Sequence, residues 1–434
     1  MSQKLGFWSV FALVIGSQVG TSVLILPASL APFGIFSLVG GVISSCGAVI
    51  LALLFAILCS RFPQTGGPHV YLKKAFGNDV AFFTGWTYWV ISWVSTAVVV
   101  ISAITYLTPL IGVNNSFICL ILQILLLFAI MLLNLKGIGA AGRAEFILTM
   151  LKFIPLIVVP VTALYHFDSN NFVIDKQINN LTFSQIIGKV TLLTFWGFIG
   201  LESATAQAGS VINPSKTIPR AVVIGTLCVA ILYFINSVGI IGLIPPKDLI
   251  HSKAPYVDAT QIIFGGQWHI LISLIASIIC IGTLNAWVLI SGQISLGLAQ
   301  DGLMPSFFAK QNKNGAPIWS LVISCTGILA LLISTTNEDL SEQVTDIIDF
   351  SVISFLFVYL ACSIAFLKLL LTKSEKSSIY EWLIALGSIV FCLWIIYETP
   401  LKVTIIAISF VLSGIPVYFL WYKQWLFRLC RQIL

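Results

Sequence analysis

Long apolar stretches separated by short polar segments make up most of this 434-residue chain. A helix of about 20 apolar residues is long enough to cross the hydrocarbon core of a bilayer. The pattern predicts twelve such spans, with connections too short to hold a separate soluble domain. The predicted spans are residues 7–30, 35–60, 80–108, 116–135, 144–166, 185–209, 220–243, 267–298, 317–335, 345–371, 379–397 and 401–422.

The first predicted span is interrupted at its centre. Residues 14–22 read VIGSQVGTS, which places two glycines and four polar side chains at the depth of the bilayer core. Such residues weaken a helix, and their polar groups need hydrogen-bond partners where water is absent. The sixth span has a comparable interruption, because residues 195–203 read FWGFIGLES. Both stretches predict helices that are broken at mid-membrane.

The positions of the two breaks predict how the spans are organised. They fall in the first and sixth spans, and broken helices at corresponding positions are typical of transporters built from inverted repeats. We therefore predict an all-α integral membrane protein with twelve transmembrane helices and a five-plus-five inverted repeat. The repeats cover about residues 7–166 and 185–371, two extra helices cover about 379–422, and residues 1–434 form a single membrane transporter domain.

Composition excludes a soluble protein. Hydrophobic residues make up 58% of the chain and charged residues only 9%, with a mean hydropathy of +1.03. Soluble domains carry about 25% charged residues, so this chain lacks the charge to cover a water-facing surface. The first residues lack a small-residue cleavage site, and we expect residues 7–30 to be a retained span rather than a signal peptide.

The distribution of charge predicts the orientation. If the N-terminus is cytoplasmic, most of the 22 Lys and Arg residues fall at cytoplasmic connections, whereas the opposite connections carry mainly Asp and Glu. The positive-inside rule therefore places both termini in the cytoplasm, and we expect the bacterial cytoplasmic (inner) membrane. The basic residues on that side are Lys4, Arg61, Lys73, Lys74, Lys136, Arg143, Lys216, Arg220, Lys310, Lys313, Lys368, Lys373, Lys376, Lys423, Arg428 and Arg431.

The sequence carries no pattern that indicates a cofactor or a catalytic centre. The nine cysteines are single, the four histidines are unclustered, and neither CxxC nor GxxxxGK[ST] occurs. We expect no cofactor, no metal ion, no nucleic-acid partner and no enzymatic activity. A polytopic helix bundle of this kind favours a secondary transporter, and a channel or membrane sensor is the alternative from another class.

A pair of broken helices suits one kind of substrate. The second half of a broken helix begins with free amides at the positive end of its dipole, and the first half ends with free carbonyls. Amides bind a carboxylate and carbonyls bind an ammonium group. Two breaks side by side therefore suit an α-amino acid.

Five stretches of the chain, in order, resemble the amino acid–polyamine–organocation transporters. The resemblance is strongest to the bacterial basic amino acid/polyamine antiporters typified by the arginine/agmatine exchanger. It implies the five-plus-five fold, alternating access and exchange of a basic amino acid for another or for its amine. The stretches are GSQVGTSVLILPASLA (16–31), PQTGGPHVYLKKAFG (63–77), FWGFIGLESA (195–204), NPSKTIPRAVVIG (213–225) and SGQISLGLAQDGLMPSFFAKQNKNGAP (291–317).

The resemblance also implies roles for individual residues. Thr21 and Ser22 would bind the substrate carboxylate, and the carbonyls of Gln18, Trp196 and Ile199 would accept the α-ammonium group. Trp196 would close over the substrate. The remaining implied positions are Trp287, facing the substrate side chain; Ile91, Ser92, Thr96 and Ser351, lining its pocket; and Tyr88, Glu202 and Tyr359, forming a second gate.

Two features leave the substrate and the driving ion open. Ile91 and Thr96 stand where the exchanger has small or amide side chains, which argues against arginine specifically. Lys152 lies within the fifth span, where related transporters of the superfamily carry a lysine in place of a sodium ion. It points to proton coupling, although a lysine there could also extend to the membrane face.

The alternative function is therefore a proton-coupled amino acid symporter of neutral or broad specificity. Glu202 is the only carboxylate that we place in the core around the broken helices. The expected partners are a small-molecule substrate (an amino acid or amine), the lipid bilayer, and, as open alternatives, protons and a second copy of the chain in a homodimer.

Overall fold

The structure is a computed structural model that describes residues 4–112, 115–175, 178, 181–252, 254–334, 340–372 and 378–423. At positions 109, 269, 340–346 and 421–423 it describes the backbone alone. Lys373, Lys376, Arg428 and Arg431, which entered the prediction of orientation, lie outside the described residues.

The described part of the chain is helical, and it holds no β-strand beyond two isolated bridges. The α-helices are α1 (Phe7–Gln18), α2 (Thr21–Leu30), α3 (Phe36–Arg61), α4 (Pro68–Phe76), α5 (Asn78–Ile111), α6 (Ser116–Leu135), α7 (Ile138–Ala163), α8 (Phe183–Trp196), α9 (Pro214–Leu243), α10 (Pro246–Leu249), α11 (Pro255–Phe264), α12 (Trp268–Gln300), α13 (Ile318–Ser334), α14 (Leu340–Thr372), α15 (Ile379–Glu398), α16 (Leu401–Leu412) and α17 (Gly414–Val417).

Both predicted breaks are present. Helix α1 ends at Gln18 and α2 begins at Thr21, so two residues separate the halves of the first broken helix. Helix α8 ends at Trp196 and is followed by turns and then by a 3₁₀ helix, Ser203–Ser210. Within these turns Gly200 has φ +99°, a left-handed conformation that a residue with a Cβ rarely adopts.

The membrane-spanning character of the chain follows from helix length and composition. Ten helical segments among the described residues are long and apolar enough to cross a membrane, and Ile318–Ser334 is a shorter apolar helix. The protein is therefore a helical integral membrane protein. In the most apolar 18-residue stretch of the broken segment Phe7–Phe33, 83% is buried within the protein. The corresponding share is 17% for Ser116–Leu135 and 11% for Leu401–Leu420. The broken helix thus lies at the centre of the bundle.

The helices around the first break come from distant parts of the chain. Helix α1 packs against α7, α9 and α12, while α12 also packs against α5 and α13. Helix α3 packs against α8, α9 and α15. These contacts place the two broken helices between long helices whose polar side chains can reach them.

Connections at one end of the bundle contact one another, and we call this end the Leu5 face. Leu5 N donates to Ser210 O at 2.8 Å, and Gly66 N donates to Ala206 O at 3.0 Å. The Asn312 side chain donates to Leu135 O at 2.6 Å. The opposite end, which we call the Pro32 face, is joined by the bond from Asp175 N to Pro32 O at 2.9 Å.

Three short helices were not predicted from the apolar pattern. They are α4, α10 and α11, which lie in connections between spans. Helix α4 has nine residues, of which only the first five are buried, so it is too short to give a hydropathy signal. The fifth span also begins earlier than predicted, at Ile138 rather than 144. That shift moves Glu145 from the predicted membrane edge to the second turn of the helix.

Candidate functional site

A small pocket lies where the two breaks meet. It has about 40 Å³ of free space, roughly the volume of a single water molecule, so the walls are closed together. Its lining residues are Ser17, Gln18, Gly20, Thr21, Ser22, Ser95, Val99, Trp196, Ile199, Thr283, Trp287, Ser351 and Phe355.

Two polar atoms of this pocket have no hydrogen-bond partner in the part of the chain that the structure describes. They are Gln18 Oε1 and Ser351 Oγ, in side chains that are 2% and 1% exposed. A buried polar atom without a partner costs about 1–3 kcal/mol, so such atoms are uncommon in folded proteins. An unpartnered acceptor and an unpartnered hydroxyl in two residues of the same pocket wall suit a ligand that carries hydrogen-bonding groups.

The carbonyl end of α1 is held by side chains from α7 and α12. Lys152 Nζ donates to Gly16 O at 3.0 Å and to Val19 O at 3.1 Å. Thr283 Oγ1 lies 2.9 Å and 2.8 Å from the same two oxygens and accepts from Lys152 Nζ at 3.0 Å. Lys152 is 1% exposed. It therefore binds the break and does not extend to the membrane face.

Gln18 and Ser22 contact a tyrosine that the sequence did not point to. Tyr233 OH, on α9, donates to Gln18 O at 3.1 Å and lies 2.5 Å from Ser22 Oγ. The carbonyl of Gln18, predicted to accept the substrate ammonium, thus already accepts a hydrogen bond from the protein. Its side-chain oxygen is the free acceptor of this residue. No sequence signal marks Tyr233, because its partners are more than 200 residues away.

The amide end of α2 begins in the same pocket. Its N-cap is Gly20, and no side chain caps the helix. Thr21 and Ser22 are buried and lie in the first turn, where backbone amides are free and the helix dipole is positive. A Cβ at Gly20 would lie 2.8 Å from Thr283 Cγ2, so a side chain at position 20 would press on α12.

The expectation of a single carboxylate in the core is wrong. Glu145 on α7 is 0% exposed, and its Oε1 lies 4.0 Å from Lys152 Nζ. Asn285 Nδ2 donates to Glu145 Oε2 at 2.8 Å, and Thr149 Oγ1 lies 3.2 Å from Oε1. The seven-residue spacing to Lys152 places both on one helix face, which is the signal that the sequence offered.

Glu202 lies just beyond the second break and joins two tyrosines. Tyr88 OH donates to Glu202 Oε1 at 2.8 Å, and Tyr359 OH donates to Glu202 Oε2. All three side chains are 0% exposed. Ser17 Oγ, from the first break, donates to Gly200 O at 3.0 Å and therefore links the two broken helices. The structure thus brings together the three residues predicted as a second gate.

Two tryptophans line the pocket. Trp287 Nε1 donates to Ser17 O at 3.2 Å, and its ring lies 5.4 Å from that of Phe355. Trp196 is the last residue of α8, so its ring stands at the second break. Ile199 also lines the pocket. An indole face attracts a cation by about 0.5–2 kcal/mol, so these rings suit a basic substrate.

Helix α5 contributes residues other than the predicted ones. The pocket is lined by Ser95 and Val99 of this helix. Ile91, Ser92 and Thr96 are buried on α5 outside the pocket lining, with Ser92 Oγ donating to Trp89 O and Thr96 Oγ1 to Ser92 O, each at 2.6 Å. The resemblance had placed these three residues in the lining.

Within the described ranges, no group of three or more His, Cys, Asp or Glu side chains is arranged to hold a metal ion. The free cysteines there are dispersed over several helices.

The chain is similar in sequence to one protein family and to several bacterial transporters. The sequence profile of the amino acid permease family matches residues 5–427. A protein of Bacillus subtilis (strain 168) named as an arginine/ornithine antiporter is 28% identical over 96% of this chain and 97% of its own. The cadaverine/lysine antiporter of Escherichia coli (strain K12) is 29% identical over 77% of this chain and 76% of its own. The putrescine transporter of Haemophilus influenzae is 29% identical over 88% of each chain.

Proposed function

The chain belongs to the amino acid permease family, and we propose that it exchanges a basic amino acid for another amino acid or its amine across the cytoplasmic membrane. The relatives described above are named for arginine, ornithine, lysine, cadaverine and putrescine, all of which are basic. We therefore propose a transporter rather than an enzyme.

The central pocket is the observation that carries the proposal. It lies between a free helix N-terminus and a second break, and it holds two unpartnered polar atoms. The N-terminus of α2 at Thr21 and Ser22 would bind the carboxylate of an amino acid. Gln18 Oε1 and the carbonyl groups of Trp196 and Ile199 would accept its ammonium group, and Trp287 and Ser351 would face its side chain.

The architecture supports alternating access around this pocket. We propose twelve transmembrane helices arranged as the five-plus-five inverted repeat, with repeats of about 7–166 and 185–371 and two extra helices of about 379–422 in a single domain. Because free space at the pocket is about 40 Å³, a substrate enters only when the walls separate. Trp196 would close over the substrate on one side, and Tyr88, Glu202 and Tyr359 would form the gate on the other.

The orientation follows from the basic residues of the Leu5 face. Arg61, Lys136, Arg143 and Lys310 lie in connections or in the end turns of helices there, and from the positive-inside rule we expect that face to be cytoplasmic. We therefore propose that both termini are cytoplasmic. We keep a homodimer of the chain in the membrane as an open alternative to a single copy.

Lys152 favours a second candidate function, proton-coupled symport of amino acids. Its ammonium group bonds to the carbonyls of Gly16 and Val19 at the first break. Those dipoles stabilise the cation, whereas burial favours the neutral amine. Movement of α1 would change the balance, so binding and release of a proton could accompany the transport cycle.

Counterflow in proteoliposomes tests the proposed exchange. Liposomes containing the purified protein are loaded with unlabelled lysine, ornithine, arginine, cadaverine, leucine or buffer, and uptake of labelled lysine is measured. We expect basic amino acids and their amines to drive uptake at least tenfold above buffer. Equal uptake with leucine and lysine inside would contradict a basic substrate. Equal uptake with buffer and lysine inside would contradict exchange.

A further inference from the structure

A buried glutamate lies beside the first break, and neither the proposed substrate contacts nor the gates include it. Glu145 Oε1 is 4.0 Å from Lys152 Nζ, and the two side chains are 0% and 1% exposed. An isolated charge at this depth is strongly disfavoured, whereas a pair of opposite charges is tolerated when hydrogen bonds complete it. The hydrogen-bond partners of Glu145 therefore decide whether its carboxyl group is charged.

The hydrogen bonds around Glu145 suit an ionised carboxylate. Asn285 Nδ2 donates to Glu145 Oε2 at 2.8 Å and to Ala141 O at 3.2 Å. A carbonyl oxygen only accepts, so the bond to Ala141 O fixes which end of the Asn285 amide faces Glu145. Asn134 Nδ2 donates to Asn285 Oδ1 at 3.1 Å, so both ends of that amide are satisfied. Glu145 Oε2 thus receives an N–H group and needs no proton of its own.

Both charged residues lie on α7, so their separation does not depend on the position of α1. They are seven residues apart, about 10 Å along the axis of one helix face, and their side chains extend towards each other. A Cβ at Gly16 would overlap Glu145 Oε1, so the carboxylate lies against the backbone of α1 at the residue whose carbonyl Lys152 binds. If α1 moves during transport, Lys152 loses the carbonyl dipoles of the break but keeps the carboxylate.

The other titratable groups around Lys152 do not take the place of this carboxylate. The thiol of Cys280 faces Lys152 from α12, and burial favours its neutral form. Helix α1 carries no titratable side chain. Of the other helices packed against α7, α9 carries Tyr233, whose hydroxyl bonds to the first break, and α11 carries Asp258, whose carboxylate bonds to a neighbouring serine. Glu145 is therefore the charged group that pairs with Lys152 in the described part of the chain.

We propose that Glu145 is a positioning residue whose carboxylate keeps Lys152 protonated through the whole cycle, so that exchange proceeds without movement of protons. The proposal rests on the exchange function and names the residue that separates exchange from proton-coupled symport. An opposite charge within about 4–6 Å changes a protonation equilibrium by about ten- to a thousandfold. Removing the charge of Glu145 while keeping its shape therefore lets Lys152 release its proton when α1 moves.

The test measures proton movement during exchange of lysine for lysine, in which the entering and leaving substrates are identical. Proteoliposomes with a pH-sensitive dye inside receive an imposed pH gradient, and its decay is recorded with and without lysine on both sides. In the wild type, lysine should leave the decay unchanged. In Glu145→Gln, lysine should speed the decay at least about fivefold. Glu145→Asp, which keeps the charge, and the matched control Glu398→Gln, at the end of α15, should behave as the wild type does.

A purely structural role of Glu145 would cost exchange without a gain of proton movement. Three results would overturn the proposal: Glu145→Gln that exchanges lysine with unchanged decay of the gradient, an equal acceleration in Glu145→Asp, or an acceleration that persists in the double variant Glu145→Gln/Lys152→Ala. If Glu145→Gln does not accumulate or does not exchange lysine, Asn285→Leu, which removes the donor to the carboxylate, is tested with the same criteria.

The wild type separates this proposal from the proposed function. A wild type without exchange would contradict the function itself. A wild type that exchanges lysine, but in which lysine already speeds the decay of the gradient, would contradict the role of Glu145 alone.

Discussion

At the scale of single residues, the first break is defined by the side chains that hold its carbonyls. Lys152 and Thr283 come from two different helices and share Gly16 O and Val19 O. A cation at the C-terminal end of α1 faces the negative end of its dipole, an interaction worth about 0.3–2 kcal/mol. These bonds fix the position at which α1 stops and leave the amides of α2 for a ligand.

The amides of α2 should discriminate for a carboxylate. Lysine should therefore compete for transport at least tenfold better than lysinamide, which keeps both amino groups and loses only the negative charge. Tenfold corresponds to about 1.4 kcal/mol, well within the range of a charge-assisted hydrogen bond. The measurement is inhibition of labelled lysine exchange by each compound added to the same side. Equal inhibition by lysine and lysinamide would count against carboxylate binding at Thr21 and Ser22.

Trp196 should act on transport more than on binding. Replacement by leucine removes the ring that would close over an occupied pocket, so we expect Trp196→Leu to slow exchange at least tenfold. The dissociation constant of lysine, measured by equilibrium binding to the purified protein, should change by a smaller factor than the rate of exchange does. Trp268→Leu, at a position 51% exposed on the bundle surface, is the control. Normal exchange by Trp196→Leu would show that the ring serves packing alone.

The residues that the sequence could reveal are those whose local setting is unusual. Polar residues at bilayer depth marked Gln18, Thr21 and Ser22, and these line the pocket. Tyr233 was missed because its hydrogen-bond partners, Gln18 and Ser22, lie more than 200 residues away in the chain. Glu145 was missed although its spacing to Lys152 offered a signal, because the predicted span began at residue 144 and left Glu145 at the membrane edge.

At the scale of elements, two side chains of α4 bind Asp301 and so join two connections of the Leu5 face. Lys73 Nζ donates to Asp301 Oδ1 at 2.8 Å, and His69 Nε2 lies 3.1 Å from Asp301 Oδ2. Both partners lie on α4, and Asp301 follows α12 directly. Burial alone would raise the pKa of the Asp301 carboxyl, but hydrogen bonds from His69 and Lys73 lower that pKa to about 2.

This cluster predicts a pH dependence of stability. Because the pKa of Asp301 is lowered on folding, its contribution is present above about pH 4 and is lost as the pH falls towards 2. At pH 7, Asp301→Asn should lower the free energy of unfolding by about 1 kcal/mol, since the cluster is partly exposed. The difference from wild type should shrink as the pH falls from about 4 towards 2.

Thermal unfolding of the detergent-solubilised protein at several pH values measures this difference. The control Asp248→Asn, on the Pro32 face, should unfold with the same curves as the wild type. If wild type and Asp301→Asn differ in stability by the same amount at pH 7 and at pH 3, the cluster does not act through ionisation of Asp301.

Elements were predictable where a physical signal ran over many residues. Apolar length identified the ten long apolar segments among the described residues, and glycine with polar residues identified the breaks. The boundaries of α7 and the presence of α4, α10 and α11 were not predictable in this way. Those features depend on contacts between connections, and hydropathy carries no information about such contacts.

At the scale of the whole molecule, the two breaks meet in a pocket whose free space is about 40 Å³. Under the alternating access that we propose, the protein would move its substrate by opening one side of this pocket at a time. Obligatory exchange means that the empty protein does not return across the membrane, whereas symport requires that a proton take part in the cycle. Lys152 is the residue at which these two functions differ.

The most direct measurement is uptake of labelled lysine into proteoliposomes, with and without internal lysine and with and without an imposed pH gradient, in wild type and in Lys152→Ala. Our account predicts that wild-type uptake depends on internal lysine and is indifferent to the gradient. Uptake into empty liposomes that the pH gradient drives, and that Lys152→Ala abolishes, would contradict exchange and establish proton-coupled symport.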